Sequence, residues 1–252
     1  MKFKKIIVRL ISIIICLIII YIGVLKSAAL FFTYHYTHSN YKIFSDTELD
    51  STEILVKSLN ERIKSCEIYN NNLKHNIYIC SSESKFRFFA KMTGSSYPSQ
   101  GFNVNYLNKI FISKSFIKQV HTDRKKANKL IPYSVLEGNM TEIICHEIIH
   151  SLAYEYLGAK KYALVPFWKQ EGYAEYAANI WSKQQDSAYD FNDRIDIYLD
   201  DNFWGENNGV KDYYEAEILV ENLMLNSIGF DSLMSNHTSF EHALMQLKFY
   251  SE

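Results

Sequence analysis

Two histidines four residues apart, with a glutamate directly after the first, are the tightest constraint in this chain. They lie in the run Thr141-Glu-Ile-Ile-Cys-His-Glu-Ile-Ile-His-Ser-Leu-Ala. An α-helix turns once every 3.6 residues, so His146 and His150 share a face and can address one ion. Glu147 then projects beside that ion, which suits a base acting on water. A helix is expected here: Thr141 caps or begins it, Ile143, Ile144, Ile148, Ile149 and Leu152 supply apolar surface, and Gly158 stops it. Two imidazoles leave a tetrahedral zinc one protein ligand short. A carboxylate from a neighbouring helix can complete the set and leave the fourth position for water. Glu171, in Trp168-Lys-Gln-Glu-Gly-Tyr-Ala-Glu, is the candidate.

H-E-x-x-H followed by Trp168-x-x-Glu171-Gly172-x-Ala174 resembles the metal-binding segments of the gluzincin metallopeptidases, in the aminopeptidase-like peptidase MA superfamily. The likeness extends more loosely over residues 77–230. It implies a Zn2+ cofactor held by His146, His150 and Glu171, with Glu147 as general base in hydrolysis of a peptide bond by zinc-activated water. It also implies that Lys109–Ser113 is the edge strand that pairs with extended substrate. Tyr213 matches the family position of a hydroxyl that stabilises the oxyanion, while neighbouring Tyr214 and the late His237 are alternatives. The aminopeptidase branch carries a glutamate that grips the substrate amine. The corresponding stretch here, Gly101-Phe-Asn-Val-Asn105, lacks it, so an endopeptidase is the expectation.

Several nearby residues admit plainer readings. Glu175, four after Glu171, either orients a ligand histidine or is a solvated helix carboxylate. Cys145 is expected to pack in the core, off the histidine face. His35 and His38 lack further ligands, and no metal is assigned to them. Two other functions fit the same residues: a noncatalytic zinc-binding sensor or interaction module, and an envelope structural protein with a fortuitous motif.

The N-terminus places Lys2, Lys4, Lys5 and Arg9 at the start of an apolar run that reaches Leu25. Counted from Ile6 it holds about twenty residues, enough for one membrane span with Arg9 snorkelling. Positive charge ahead of the span predicts a cytoplasmic N-terminus and an extracytoplasmic domain at the cell membrane. Ser27-Ala28-Ala29 offers the competing reading of a cleaved signal peptide and a secreted protein. The expected organisation is residues 1–30 as anchor, 31–45 as an aromatic juxtamembrane linker, and 46–252 as one catalytic domain. The expected partners are a peptide or protein substrate and the membrane. A net charge of -1 argues against nucleic acid. Of the four cysteines, Cys66 and Cys80 either pair or remain free thiols.

Periodicity predicts helices over residues 46–66 and 82–92, the latter ended by Gly94. Strands are expected at 76–80 and within 102–113 around a turn at 105–108. Residues 114–132 read as a possible helix followed by a basic loop at Arg124-Lys-Lys126. From Val135 onward the pattern is helical, including 191–199, 213–227 and 240–249. The fold class is therefore α+β: a small mixed sheet, a mainly helical subdomain, a zinc cleft between them and one N-terminal transmembrane helix.

Overall fold

The computed structural model describes residues 2–95, 99–126, 131, 139–204, 208–235 and 237–250. Five strands form one sheet: β1 (Tyr34–His38), β2 (Tyr41–Ser45), β3 (His75–Cys80), β4 (Gly101–Val104) and β5 (Lys109–Ser113). Their spatial order is β1-β2-β3-β5-β4. β2, β3 and β5 run parallel, and antiparallel β1 and β4 close the two edges. The strand period of two sorts the side chains cleanly. Phe44, Tyr78, Phe111 and Phe102 occupy one rung, stacked ring on ring at 4.7, 4.8 and 5.0 Å. Ile43, Ile77 and Ile110 form the adjacent rung on the opposite face. One face is thus aromatic, the other aliphatic.

Helices cover both faces, in the manner of a sheet with buried parallel strands. On the aromatic side lie the end of α1 (Lys2–Lys26) and α3 (Glu83–Thr93), with Phe86, Phe89 and Ala90 buried. On the aliphatic side lie α2 (Thr52–Ile63), α5 (Met140–Leu157) and α7 (Phe167–Gln185). α4 (Lys114–Lys126) follows β5, and α6 (Ala159–Tyr162) links α5 to α7. α8 (Phe191–Leu199), α9 (Asp201–Trp204), α10 (Asn208–Leu225), α11 (Phe230–Met234) and α12 (Phe240–Tyr250) complete the helical part. A buried quartet binds three of these together: Lys183 of α7 and Arg194 of α8 both contact Glu217 and Glu221 of α10, at 2.7–2.9 Å. Two charges of each sign offset one another, as buried ions require.

The architecture agrees with a small mixed sheet and a mostly helical remainder, with three corrections. Residues 34–45 are a β-hairpin at the edge of the sheet, turned at Ser39 with φ 49°, and not a tether. Their aromatic residues match a membrane-interface belt as well as they match a strand, and only pairing with β3 separates the two. Lys109–Ser113 is an interior strand, buried along its whole length, and Gly101–Val104 takes the edge. The backbone at 124–126 belongs to α4. Of the two states left open for Cys66 and Cys80, the structure has the free thiols. Cys66 sits in the aliphatic core and Cys80 in the aromatic one, so the sheet stands between them.

Other elements match their expected types. Ser51 and Ser82 cap α2 and α3 through their hydroxyls, and Gly94 ends α3 in the left-handed conformation. The helix containing H-E-x-x-H starts at Met140, capped by Asn139 and not Thr141. Asn139 and Glu142 form a reciprocal capping box worth about 1 kcal/mol. Gly158 ends it at φ 75°. Residues 132–138, where the expected helical region begins, lie outside the described residues. α1 is long and apolar enough to cross a membrane or to serve as a signal sequence.

Candidate metal centre

α5 crosses the aliphatic face of the sheet against β4 and β5 and packs on α7. Its 3.6-residue period puts His146 and His150 on the side toward α7, while Cys145 is buried in the core. His146 Nε2 and His150 Nε2 stand 3.0 Å apart. Glu171 Oε2 lies 3.3 Å from the first and 3.5 Å from the second. Ligand atoms on a tetrahedral ion with bonds of about 2.0–2.1 Å are separated by about 3.3–3.4 Å. Two imidazoles and a carboxylate at this spacing can hold a metal ion, and the donor set fits zinc.

The electrostatics follow from burial. Desolvation pulls His146 below the ordinary histidine range, despite its hydrogen bond with Glu171. Burial also works against charge on His150, but Glu171 reverses this and raises it. Burial opposes ionisation of Glu171 too, yet His150 and His146 together hold it well below the usual carboxylate range. For Glu147 burial prevails: it pushes the carboxyl up to about 8, with His150 opposing the rise and Glu171 adding to it. Its carboxylate packs on the edge strand, where a Cβ added to Gly101 would stand 3.0 Å from Oε1. The strand is tied to the helix by Asn103, whose amide donates to the Glu147 carbonyl at 2.7 Å and the Ser151 hydroxyl at 2.5 Å.

The outer ring nitrogens have different surroundings. His150 Nδ1 is 2.9 Å from the Tyr162 hydroxyl, a contact that fixes the ring's rotation. Tyr162 carries no spacing signal in the sequence, because the break at Gly158 and the short α6 decide where it lands. His146 Nδ1 has no hydrogen bond, and buried Glu175 Oε1 lies 3.6 Å away. Glu175 is thus placed beside His146 and out of solvent.

Three residues of the Trp168 to Ala174 segment have a packing reason. Trp168 meets Phe240 edge to face at 5.8 Å. A Cβ on Gly172 would fall 2.3 Å from the Ala216 carbonyl oxygen of α10, so only glycine permits this crossing. Ala174 is fully buried. The crossing brings α10 alongside Glu171. Tyr213 on α10 packs edge to face against Phe167 at 5.5 Å, and burial with the charges of Glu171, Glu175 and Glu147 pushes its hydroxyl pKa up. Tyr214 points elsewhere, its hydroxyl bonded to the Arg194 carbonyl. His237 is exposed. Of the early histidines, His35 bonds the Phe32 carbonyl and His38 the Thr52 hydroxyl.

The sequence matches no protein-family model, and no curated protein matches it.

Proposed function

We propose that this chain is a membrane-anchored zinc metallopeptidase of the gluzincin type, acting on internal bonds of extended peptides. The observation that carries this reading is the near-tetrahedral spacing of His146 Nε2, His150 Nε2 and Glu171 Oε2, with the Glu147 carboxylate adjacent and outside the ligand set.

Zinc, when bound, supplies a Lewis acid that polarises a carbonyl and makes water nucleophilic at neutral pH. The chain's own residues supply the rest. Glu147, held between the ligand histidines and Gly101, takes the proton of the attacking water and delivers it to the leaving amide nitrogen. The Tyr213 hydroxyl keeps its proton because burial and nearby carboxylates oppose ionisation, and it donates to the developing oxyanion. Tyr162 orients His150, and Glu175 faces the outer nitrogen of His146. β4 ends the sheet beside α5, and its outer edge offers backbone groups to an extended substrate, as β-strand addition requires. Gly101 keeps that edge low where it passes Glu147.

The test combines metal content with turnover of an internally quenched peptide library by the full chain. Stoichiometric zinc with chelator-sensitive hydrolysis is expected. Glu147→Gln should retain zinc and lose hydrolysis, whereas His146→Ala should lose both. Undiminished hydrolysis by Glu147→Gln removes the assignment, and zinc without turnover favours a noncatalytic binding module.

A further inference from the structure

We infer that the domain sits directly on the lipid bilayer, with Leu30, Phe31, Phe88 and Tyr106 forming a collar in the headgroup layer around a retained α1. The inference rests on α1 crossing the membrane and is independent of the peptidase chemistry.

The last turn of α1 is part of the domain. Leu25 is 2% exposed, and Ala28, in the short turn that follows, is completely buried. Tyr21 donates to the Met92 carbonyl at the end of α3, and Lys85 donates to the Phe31 carbonyl at 2.6 Å. Lys109, itself buried in the sheet, points its ammonium at the C-terminus of α1, donating to the Lys26 carbonyl at 3.4 Å and the Tyr78 hydroxyl at 2.6 Å. A cation at that position meets both the unpaired carbonyls and the negative end of the helix dipole. Ser27-Ala28-Ala29 is therefore part of a turn packed on the domain through Ala28, and removing the residues before it would leave Lys109 without the Lys26 acceptor.

Helix length then sets the height of the domain. A hydrocarbon core of about 30 Å takes about twenty helical residues. Counted from Ile6, the far boundary falls near Leu25, which is already inside the protein. The bare stretch that ends at Ile22 spans only about 25 Å, so the bilayer has to meet the base of the domain. The residues at that base suit an interface. Leu30 is 82% exposed and Tyr106, beside Tyr21, is 65% exposed. Phe31 and Phe88 lie 6.2 Å apart, both substantially exposed, and exposed Arg87 and Lys91 flank Phe88 on α3. Aromatic rings mixed with basic side chains are the composition that headgroup regions favour.

The full chain is reconstituted in phosphatidylcholine–phosphatidylglycerol vesicles. An environment-sensitive fluorophore is placed at native Cys16 or, on a Cys16→Ser background, at Phe88→Cys, Leu30→Cys or Met245→Cys. Quenching by lipids spin-labelled near the headgroup should be severalfold stronger at positions 88 and 30 than at Met245→Cys on α12. Cys16 should respond to deep quenchers, and the intact mass should retain residues 1–29. Equal quenching at 88, 30 and 245 with deep quenching at Cys16 overturns the collar alone. Loss of deep quenching at Cys16, or of residues 1–29, overturns the span as well.

Discussion

Gly172 and Ala216 meet where α7 crosses α10, so closely that a single added methyl would lie 2.3 Å from the Ala216 carbonyl oxygen. The obstruction is backbone, and backbone cannot rotate aside. Gly172→Ala therefore forces the helices apart and should destabilise the fold by about 1–3 kcal/mol, read by urea unfolding. Because Glu171 is the preceding residue, zinc affinity should fall with it. A variant of unchanged stability and affinity would contradict the crossing.

Tyr162 holds the ring of His150, one of the three residues that could bind the metal. Tyr162→Phe keeps the ring and deletes the hydroxyl 2.9 Å from Nδ1. The expected result is a loss of about 10–100-fold in zinc affinity, measured by chelator competition, with the far-ultraviolet spectrum unchanged. Equal affinity in the two proteins would show that His150 needs no help in aiming its ring.

For Tyr213, a hydroxyl that serves the transition state alone should appear in kcat and not in KM. Tyr213→Phe should lower kcat by about 100–1,000-fold, retain zinc and leave KM nearly unchanged. Tyr214→Phe should leave kcat intact, because that hydroxyl is engaged with Arg194. The reverse pattern would transfer the role.

His75 contributes to acid stability. It is buried at the start of β3, stacked on Tyr41 at 5.8 Å, and burial lowers its pKa to about 4. The unfolded chain holds this proton below about 6.5 and the folded chain only below about 4. Between those values the unfolded state binds more protons, so stability is full above the window and falls as pH drops through it, by about 3 kcal/mol in all. Glu147, raised from 4.5 to about 8, acts with the opposite sign across an overlapping window, so the difference between wild type and His75→Phe isolates the histidine. Unfolding curves that stay parallel from pH 7 to 4 would rule it out.

The ligand helix was legible because its information is local. A four-residue spacing selects one helix face whatever surrounds it, and Ser82, Gly94 and Gly158 punctuate their helices through their own backbone and capping chemistry. Asn139 was missed as a cap because Thr141, two residues on, also belongs to the capping residue types, and the choice turns on the reciprocal bond to Glu142.

What the sequence by itself determined was the pairing of His146 with His150, the place of Glu147 beside them and the apolar reach of α1, all consequences of helix period and length. The convergence of Glu171, the contact from Tyr162, the division between Tyr213 and Tyr214, the edge position of β4 and the hairpin made from residues 34–45 were decided only in three dimensions. Each depends on partners far along the chain, and strand or side-chain propensity carries no record of which partner arrives.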